Sequence, residues 1–151
     1  MSLFLYDRII MEIVELTTFS EEFVAGIDGL LRELCATAEA TEERVRMVIE
    51  SPNMHQYAAF DEEGRMVGCA TLCVCTTPEM IIGFVEAVVV AAECRGQHLG
   101  RRLMERVLSD AKGFGVQEVH LTSRPQRVAA NGLYQALGFE RKETNVYRLK
   151  V

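Results

Sequence analysis

The chain has 151 residues, of which 49% are hydrophobic, so it is long enough to form one domain with a substantial buried core. Its formal net charge of -6 and isoelectric point near 5.1 disfavour binding to nucleic acid or to an acidic membrane surface and mildly favour cationic amines. The first ten residues are too short and too charged for a signal peptide or a membrane span, and we interpret them as an N-terminal extension without an assigned function.

The first third of the chain predicts one strand followed by two helices. Residues 11–16 are mostly apolar, as expected for an opening strand. Thr18 and Glu21 have the spacing of a capping box, and an apolar stripe at helical spacing then continues to about Ala38. Thr41 is the expected N-cap of the second helix.

The remaining elements are further strands and two more helices. Apolar runs and turn residues predict strands over 55–60, 66–75, 84–90, 116–122, 139–142 and 145–149, and helices over 99–111 and 127–137. The element order is therefore βααβββαβαββ. This order predicts an α/β (α+β) fold, in which a mixed central sheet of six to seven strands is flanked on both faces by about four helices.

The most informative segment is a strand that continues into a glycine-containing turn and then into a helix. The strand, residues 84–90, is apolar on both faces, and Glu86 is its only ionisable residue. The helix begins with arginines, although a helix N-terminus prefers acidic residues. Free main-chain amides and nearby arginines would bind an anion such as phosphate, and an ordinary solvated helix start is the alternative. The candidate basic patch comprises Arg95, Arg101, Arg102, Arg124 and Arg127.

A second informative segment, residues 130–139, combines a helix, Tyr134 and a closing Gly138-Phe139 pair. Together with the turn between Arg95 and Arg101, it resembles the GNAT superfamily of acyl-CoA-dependent N-acetyltransferases. The resemblance implies a GNAT-like single domain over residues 11–151, with acetyl-CoA as cosubstrate and no metal. The coenzyme contacts that it implies are Val88, Val90, Arg95, Gly96, Gln97, His98, Leu99, Gly100, Arg101 and Asn131.

Two positions depart from the family pattern. His98 stands where a glycine is common, and we expect it to lie within the helix start, where a side chain is tolerated. Arg127 stands where an asparagine is often found, seven residues before Tyr134, and Asn131 lies one turn later. The sequence leaves open which of Arg127 and Asn131 contacts coenzyme A.

Acetyl transfer to an amine needs a base, because a free alkylamine is mostly protonated near neutral pH. Glu86 is the candidate base, since desolvation on an apolar strand would favour its proton-bound form. The resemblance implies that a main-chain N–H at Val88, freed by a strand bulge, stabilises the developing oxyanion, and that Tyr134 protonates the departing thiolate. The alternatives are a structural carboxylate and a packing aromatic ring, and His98 and His120 are more typical of surface and structural groups than of bases.

The five cysteines are odd in number and contain no C-x-x-C pair, which indicates a reduced, cytoplasmic compartment. Cys73 and Cys75 lie on an apolar strand, where we expect small core residues and not metal ligands. A covalent mechanism through Cys73 or Cys94 is the chemical alternative, but neither has a histidine at a recognisable spacing. We therefore expect direct transfer in a ternary complex.

The predicted function is an N-acetyltransferase that moves acetyl from acetyl-CoA to a primary amine of a small molecule. The alternative is a non-catalytic acyl-CoA-binding or sensing module of the same fold, and the pairing of Glu86 with Tyr134 favours the enzyme. We expect the first two helices, the link between them and the loop over 76–80 to select the acceptor. The resemblance also allows a homodimer.

Overall fold

Residues 11–151, which the computed structural model describes, contain one mixed sheet with helices packed on both faces. The interpretation of residues 1–10 as an extension lies outside the described residues. The elements in chain order are β1 (Glu12–Leu16), α1 (Glu21–Leu34), α2 (Glu42–Glu50), β2 (Met54–Phe60), β3 (Met66–Thr76), β4 (Ile81–Val90), α3 (Leu99–Gly113), β5 (Glu118–His120) and α4 (Val128–Ala136). No helix in this part of the chain is both long and apolar enough to cross a bilayer.

The strands lie in the order β1-β2-β3-β4-β5. The first four pair antiparallel with their neighbours, whereas β5 pairs parallel with β4. A parallel pair needs a crossover connection, and α3 supplies it. The mixed sheet and the α+β class are as predicted, but the described sheet has five strands and not six to seven.

Two sets of helices bury the two faces of the sheet. On one face, Ile27 of α1 and Val45 and Ile49 of α2 pack against Leu16 and Ala58 of the strands. On the other face, α3 presents a stripe of fully buried side chains to the sheet, and α4 packs beside it. Each large apolar side chain that leaves water contributes about 1.5–3 kcal/mol, so this stripe holds α3 firmly against β2, β3 and β4. The stripe consists of Leu99, Leu103, Met104, Val107 and Ala111.

The sequence predicted the boundaries of α1 incorrectly and the start of α2 correctly. The prediction of a capping box at Thr18 is wrong, because Ser20 is the N-cap of α1 and its carbonyl accepts the amide of Phe23 at 3.1 Å. The expected end near Ala38 is also wrong, because Cys35 adopts an extended conformation and residues 35–38 form a separate turn. Thr41 is confirmed as the N-cap of α2, since its Oγ accepts the amide of Arg44 at 3.3 Å.

The C-terminal part of the chain differs most from the prediction. β5 spans three residues, and the strands predicted over 139–142 and 145–149 are not formed among the described residues. Gly138, with φ 95°, ends α4 and turns the chain away, and Phe139 is the last residue whose ring packs on the core, 5.9 Å from that of Tyr134. A period-two pattern predicts a strand correctly only where a neighbouring strand is available to pair with it.

Candidate active site

A gap lies between β4 and β5 at one edge of the described sheet, beyond the short stretch over which the two strands pair. They pair only where residues 82–84 face residues 118–120, whereas β4 continues to Val90. Beyond the paired part, two main-chain carbonyls of β4 accept hydrogen bonds from guanidinium groups. Arg127 Nη2 lies 3.5 Å from the oxygen of Val88, and Arg95 Nε lies 3.2 Å from that of Val90. The gap therefore exposes strand carbonyls to groups that are not part of the sheet.

A β-bulge interrupts β4 beside this gap. Glu86 pairs with Thr71 and Val89 pairs with Cys69, so Ala87 and Val88 have no partner residue in the ladder between them. Ala87 has a φ of 51°, in the left-handed region that few non-glycine residues adopt. The bulge lies where the sequence placed the freed Val88 amide, and it reorients the side chains that follow it.

The side chain of Glu86 is exposed, so the expectation that it is surrounded by apolar groups is wrong. Strand alternation places it on the face opposite Val85, which packs beneath α3 and α4. The apolar residues that flank Glu86 in sequence are therefore directed to the other face or lie beyond the bulge. Glu86 therefore reaches solvent beside its ladder partner Thr71.

The turn before α3 holds its backbone in an unusual conformation. Gly96 has φ 77° and His98, the N-cap of α3, has φ 60° and ψ 15°. The expectation that His98 lies within the helix start is wrong, because it caps the helix in the left-handed region, which a glycine would adopt without strain. Among the described residues, the amides from Gly96 to Arg101 have no hydrogen-bond acceptor, and the next amide, that of Arg102, bonds to His98 O at 3.1 Å. This run of free N–H groups is a ready anion site.

Not all the arginines of the predicted basic patch face this turn. Arg95 lies beside it with its side chain 59% exposed and forms an ion pair of 3.6 Å with Glu33. Arg101 bonds Glu105 at 2.9 Å, whereas Arg102 donates to the carbonyl of Met11 at 2.8 Å and so links α3 to the start of β1. Arg102 is therefore a structural residue and not part of the patch.

The predicted coenzyme residues of the turn contribute in different ways. Gln97 and His98 are exposed, whereas the side chain of Leu99 is buried in the core, so only the main chain of Leu99 faces the turn. Gly100 packs closely: a side chain there would meet Leu133 at 3.4 Å and Val90 at 3.6 Å.

Tyr134 and Arg127 lie on the α4 side of the gap. Tyr134 is 6% exposed, and burial raises the pKa of its phenol, while the positive charge of Arg127 partly opposes that rise. Arg127 is the N-cap residue of α4 and reaches across to the Val88 carbonyl. Asn131 instead donates to the carbonyl of Arg124 at 2.9 Å and holds the loop before α4. The guanidinium of Arg127 is thus the group that connects the strand with the helix of Tyr134.

A cavity of about 140 Å³ lies on the opposite face, between the sheet and the first two helices. Its helical wall is mainly apolar, and its polar groups are Glu39 and Arg44 near the link between the helices and Gln56 and Thr71 from the strands. Ala87 of the bulge also lines it. The helices and their link are present as predicted, whereas residues 76–80 do not line it. The apolar wall consists of Ile27, Leu31, Ala40, Val45 and Val48.

Sequence reasoning did not identify Gln56 and Thr71. The hydroxyl of Thr71 donates to Gln56 Oε1 at 2.8 Å, and Gln56 Nε2 donates to the carbonyls of Tyr57 and Ala70, both at 3.2 Å. Gln56 is the buried polar residue of the described core, at 5% exposure. The available signal was a glutamine within an apolar strand, where an unpaired amide would be costly.

Cys73 and Cys94, the two candidates for a covalent mechanism, do not have the properties of a covalent nucleophile. Burial, with the negative charge of Glu86, raises the pKa of the Cys73 thiol, and burial with Glu93 raises that of Cys94. Both shifts reduce the thiolate fraction, which is the reactive form. Cys75 is exposed, so its assignment to the core is wrong, because it lies near the end of β3, beyond the cover of the helices.

Comparison with known proteins decides the family. The sequence profile described as "Acetyltransferase (GNAT) family" matches residues 26–139. The chain belongs to the GNAT acetyltransferase family. The match includes the β4 strand, the turn before α3 and the helix of Tyr134, so this GNAT protein carries the segments on which the resemblance rested.

The GNAT protein is similar to two rice enzymes in sequence. It is 33% identical over 120 residues to serotonin N-acetyltransferase 2, chloroplastic, from Oryza sativa subsp. japonica, covering 76% of this chain and 57% of that protein. It is 29% identical over 132 residues to glucosamine 6-phosphate N-acetyltransferase 1 from the same organism, covering 80% and 77%. The match thus spans little more than half of the serotonin enzyme.

A solved structure shows the same fold. Glucosamine-6-phosphate N-acetyltransferase from Arabidopsis thaliana superposes with a TM-score of 0.78 at 20% identity, covering 93% of this chain and 98% of that one. The shared fold extends over almost the whole chain.

Proposed function

We propose that this GNAT protein is an N-acetyltransferase that moves acetyl from acetyl-CoA directly to a primary amine of a small molecule, with residues 11–151 as the catalytic domain. The observation that carries the proposal is the gap between β4 and β5, with free amides from Gly96 to Arg101 at one end. Proteins of this family use acetyl-CoA. The free amides and Arg95 suit a pyrophosphate, and the carbonyls of Val88 and Val90 suit the amides of a pantetheine arm.

The residues around the gap divide the chemistry between its two sides. When bound, the coenzyme supplies an activated thioester. On the cavity side, Glu86 accepts the proton of the incoming ammonium and leaves a neutral amine as nucleophile. At the bulge, the Val88 N–H donates to the carbonyl oxygen as negative charge develops there. On the α4 side, Tyr134 gives its phenolic proton to the departing sulfur, and Arg127 stabilises the phenolate that remains.

The cavity favours a small amine with an apolar body. Its wall is mainly aliphatic, and the carboxylate of Glu39 in its lining favours a cation. A volume of about 140 Å³ admits the amine-bearing end of such a molecule and leaves the rest near the surface. Of the amines named for the relatives, serotonin fits this description better than the sugar phosphate does, because the lining offers Arg44 as its one cation.

The test is release of free thiol from acetyl-CoA across a panel of amines. The panel contains serotonin, glucosamine 6-phosphate, a polyamine and an amino acid. We expect release that depends on amine, with kcat/KM highest for an apolar amine. Binding of acetyl-CoA with no release by any acceptor would instead support the sensing module, and absence of binding would reject both functions.

The assigned groups are tested with the variants Glu86→Gln and Tyr134→Phe. Each removes one proton-transfer group while keeping the shape of the side chain, and general acid–base catalysis typically contributes about 10²–10⁴-fold. We expect each variant to lower kcat by a factor within that range and to leave the affinity for coenzyme A unchanged. Asp61→Asn, a carboxylate change in the β2–β3 turn, is the matched control. Full activity in either active-site variant would remove its assigned role.

A further inference from the structure

Three polar side chains form a row across neighbouring strands, on the sheet face that α1 and α2 cover. Gln56 of β2 pairs with Thr71 of β3, and Thr71 pairs with Glu86 of β4. Paired residues of an antiparallel ladder direct their side chains to the same face, with Cβ atoms about 4.5–5.5 Å apart. Gln56 is buried, Thr71 is partly buried and Glu86 is exposed, so the row leads from the core to solvent.

The side-chain amide of Gln56 has one orientation that satisfies its neighbours. Two main-chain carbonyls, those of Tyr57 and Ala70, each lie 3.2 Å from its nitrogen, and a carbonyl can only accept a hydrogen bond. The amide oxygen therefore faces the hydroxyl of Thr71, at 2.8 Å. Because an amide oxygen cannot donate, the hydroxyl of Thr71 must donate its one proton to Gln56.

The hydroxyl of Thr71 consequently presents only lone pairs to its other neighbours. Among residues 11–151 no group donates to Thr71 Oγ, although Thr71 lines the cavity between the sheet and the first two helices. Glu86, directly across the ladder, is also an acceptor alone when it is a carboxylate. Two facing acceptors bind a ligand group that carries several donors and oppose a ligand group that has none.

We propose that Thr71 and Glu86 hold the nitrogen of the acceptor substrate between them, and that Gln56 is the positioning residue that makes Thr71 a hydrogen-bond acceptor. The proposal rests on the acetyltransferase function proposed above, and it defines the acceptor substrate as a molecule whose reacting group has at least two N–H donors. One N–H of the ammonium bonds to Thr71 Oγ, and another bonds to the carboxylate of Glu86.

Proton transfer follows from this arrangement. The N–H bond that faces Glu86 breaks, its electron pair stays on the nitrogen as the nucleophile, and an O–H bond forms on the carboxyl group. Thr71 Oγ still accepts its own N–H afterwards. The neutral amine is therefore retained beside the bulge at Ala87, which also lines the cavity.

The same arrangement discriminates an amine from an alcohol of the same shape. An alcohol has one O–H donor, so it can bond to Thr71 or to Glu86 but not to both, and its oxygen then faces an acceptor that it cannot satisfy. A hydrogen bond to a charged group contributes a factor of about 10–100 to binding. We therefore expect the site to reject the alcohol.

The first test is calorimetric titration of serotonin into the full chain saturated with coenzyme A. Thr71→Val keeps the shape of the side chain but removes its oxygen, so we expect Kd to rise about 10–100-fold. Thr71→Ser keeps the hydroxyl and should bind nearly as the wild type does. Thr76→Val, the same change at an exposed residue at the end of β3, is the matched control and should leave Kd unchanged.

Three results of this titration would overturn the proposal. They are a wild type that does not bind serotonin, an unchanged Kd in Thr71→Val, and a loss in Thr71→Ser as large as that in Thr71→Val.

The second test asks whether Gln56 sets the direction of the Thr71 hydrogen bond. Gln56→Met has a similar length but lacks the amide oxygen, so the hydroxyl of Thr71 becomes free to donate to an alcohol. We expect the preference for serotonin over its alcohol analogue, in which a hydroxyl replaces the amino group, to fall about tenfold. A packing role for Gln56 would weaken both ligands equally, and an unchanged ratio of the two Kd values would overturn the positioning role.

Release of thiol from acetyl-CoA separates this proposal from the proposed function. Release with serotonin that Thr71→Val does not reduce would support the acetyltransferase and overturn the role of Thr71. Serotonin binding that depends on Thr71, in a chain that releases no thiol, would support the amine site and reject acetyl transfer.

Discussion

Arg127 is the residue that joins the opened strand to the buried phenol. Its guanidinium lies 3.5 Å from the Val88 carbonyl and opposes the effect of burial on the pKa of Tyr134. In the proposed reaction the phenol of Tyr134 loses its proton, and the nearby positive charge of Arg127 stabilises the phenolate that forms. An asparagine at the same position would supply a hydrogen bond but no charge.

Replacing Arg127 tests this electrostatic role. The positive charge favours the phenolate, so Arg127→Ala should raise the pKa of Tyr134 further above its ordinary value, and Arg127→Lys should leave it nearly unchanged. The measurement is an NMR titration of ¹³C-labelled tyrosine, with the signal assigned through Tyr134→Phe. An unchanged titration in the alanine variant would show that the two groups do not interact.

His98 stores backbone strain where the turn enters α3. Its φ of 60° costs a non-glycine residue about 1–2 kcal/mol, whereas a glycine there loses about 0.5–1 kcal/mol of unfolded-state entropy. We therefore expect His98→Gly to stabilise the protein by about 0.5 kcal/mol in urea unfolding. Gln97→Gly, one residue earlier and without a positive φ, should destabilise it, and the same sign for both variants would contradict the assignment of strain to residue 98.

At the scale of the elements, the side chain of Thr41 caps the start of α2. Thr41 Oγ accepts the amide of Arg44, and α2 supplies Val45 and Val48 to the cavity wall. Thr41→Ala should lower the free energy of unfolding by about 1 kcal/mol, whereas Thr41→Ser, which keeps the oxygen, should change it little. Thermal or urea unfolding measures the difference, and equal stability of the two variants would show that the cap contributes nothing.

The elements also show why the sequence located some boundaries and not others. Thr41 has a local signal, because a cap depends on residues three positions apart. The local signal at Glu86 is misleading. Its neighbours in sequence are apolar, but strand alternation and a bulge direct their side chains away from that of Glu86. The period-two pattern of residues 145–149 is that of a strand, yet no described strand pairs with these residues, because pairing depends on segments far away in the chain.

At the scale of the whole molecule, an acidic protein is proposed to bind an anionic coenzyme through a local site. The free amides of the turn before α3 provide that site without changing the net charge. Ligand that binds only the folded state stabilises it by about 2.7 kcal/mol at a hundredfold excess over Kd. For a chain of this size, that gain corresponds to a rise in Tm of roughly 5–10 °C.

Thermal melting with and without coenzyme A measures this gain. Pantetheine, which lacks the pyrophosphate, should raise Tm much less at the same concentration. Gly96→Ala should reduce the shift produced by coenzyme A, because φ 77° is strained for alanine and the turn amides would reorient. Equal Tm shifts from coenzyme A and pantetheine would show that the turn amides do not contribute to the binding of coenzyme A.

Local patterns were sufficient to predict the order of the elements from β1 to α4, the α+β class and the family, because periodicity, caps and short motifs depend on residues close in the chain. Other features depended on how distant segments pack. These are the number of strands, the exposure of Glu86, the left-handed conformation of His98 and the hydrogen bond from Arg127 to β4. These features arise from contacts between residues far apart in sequence, such as Val88 with Arg127, and no single segment contains the information that sets them.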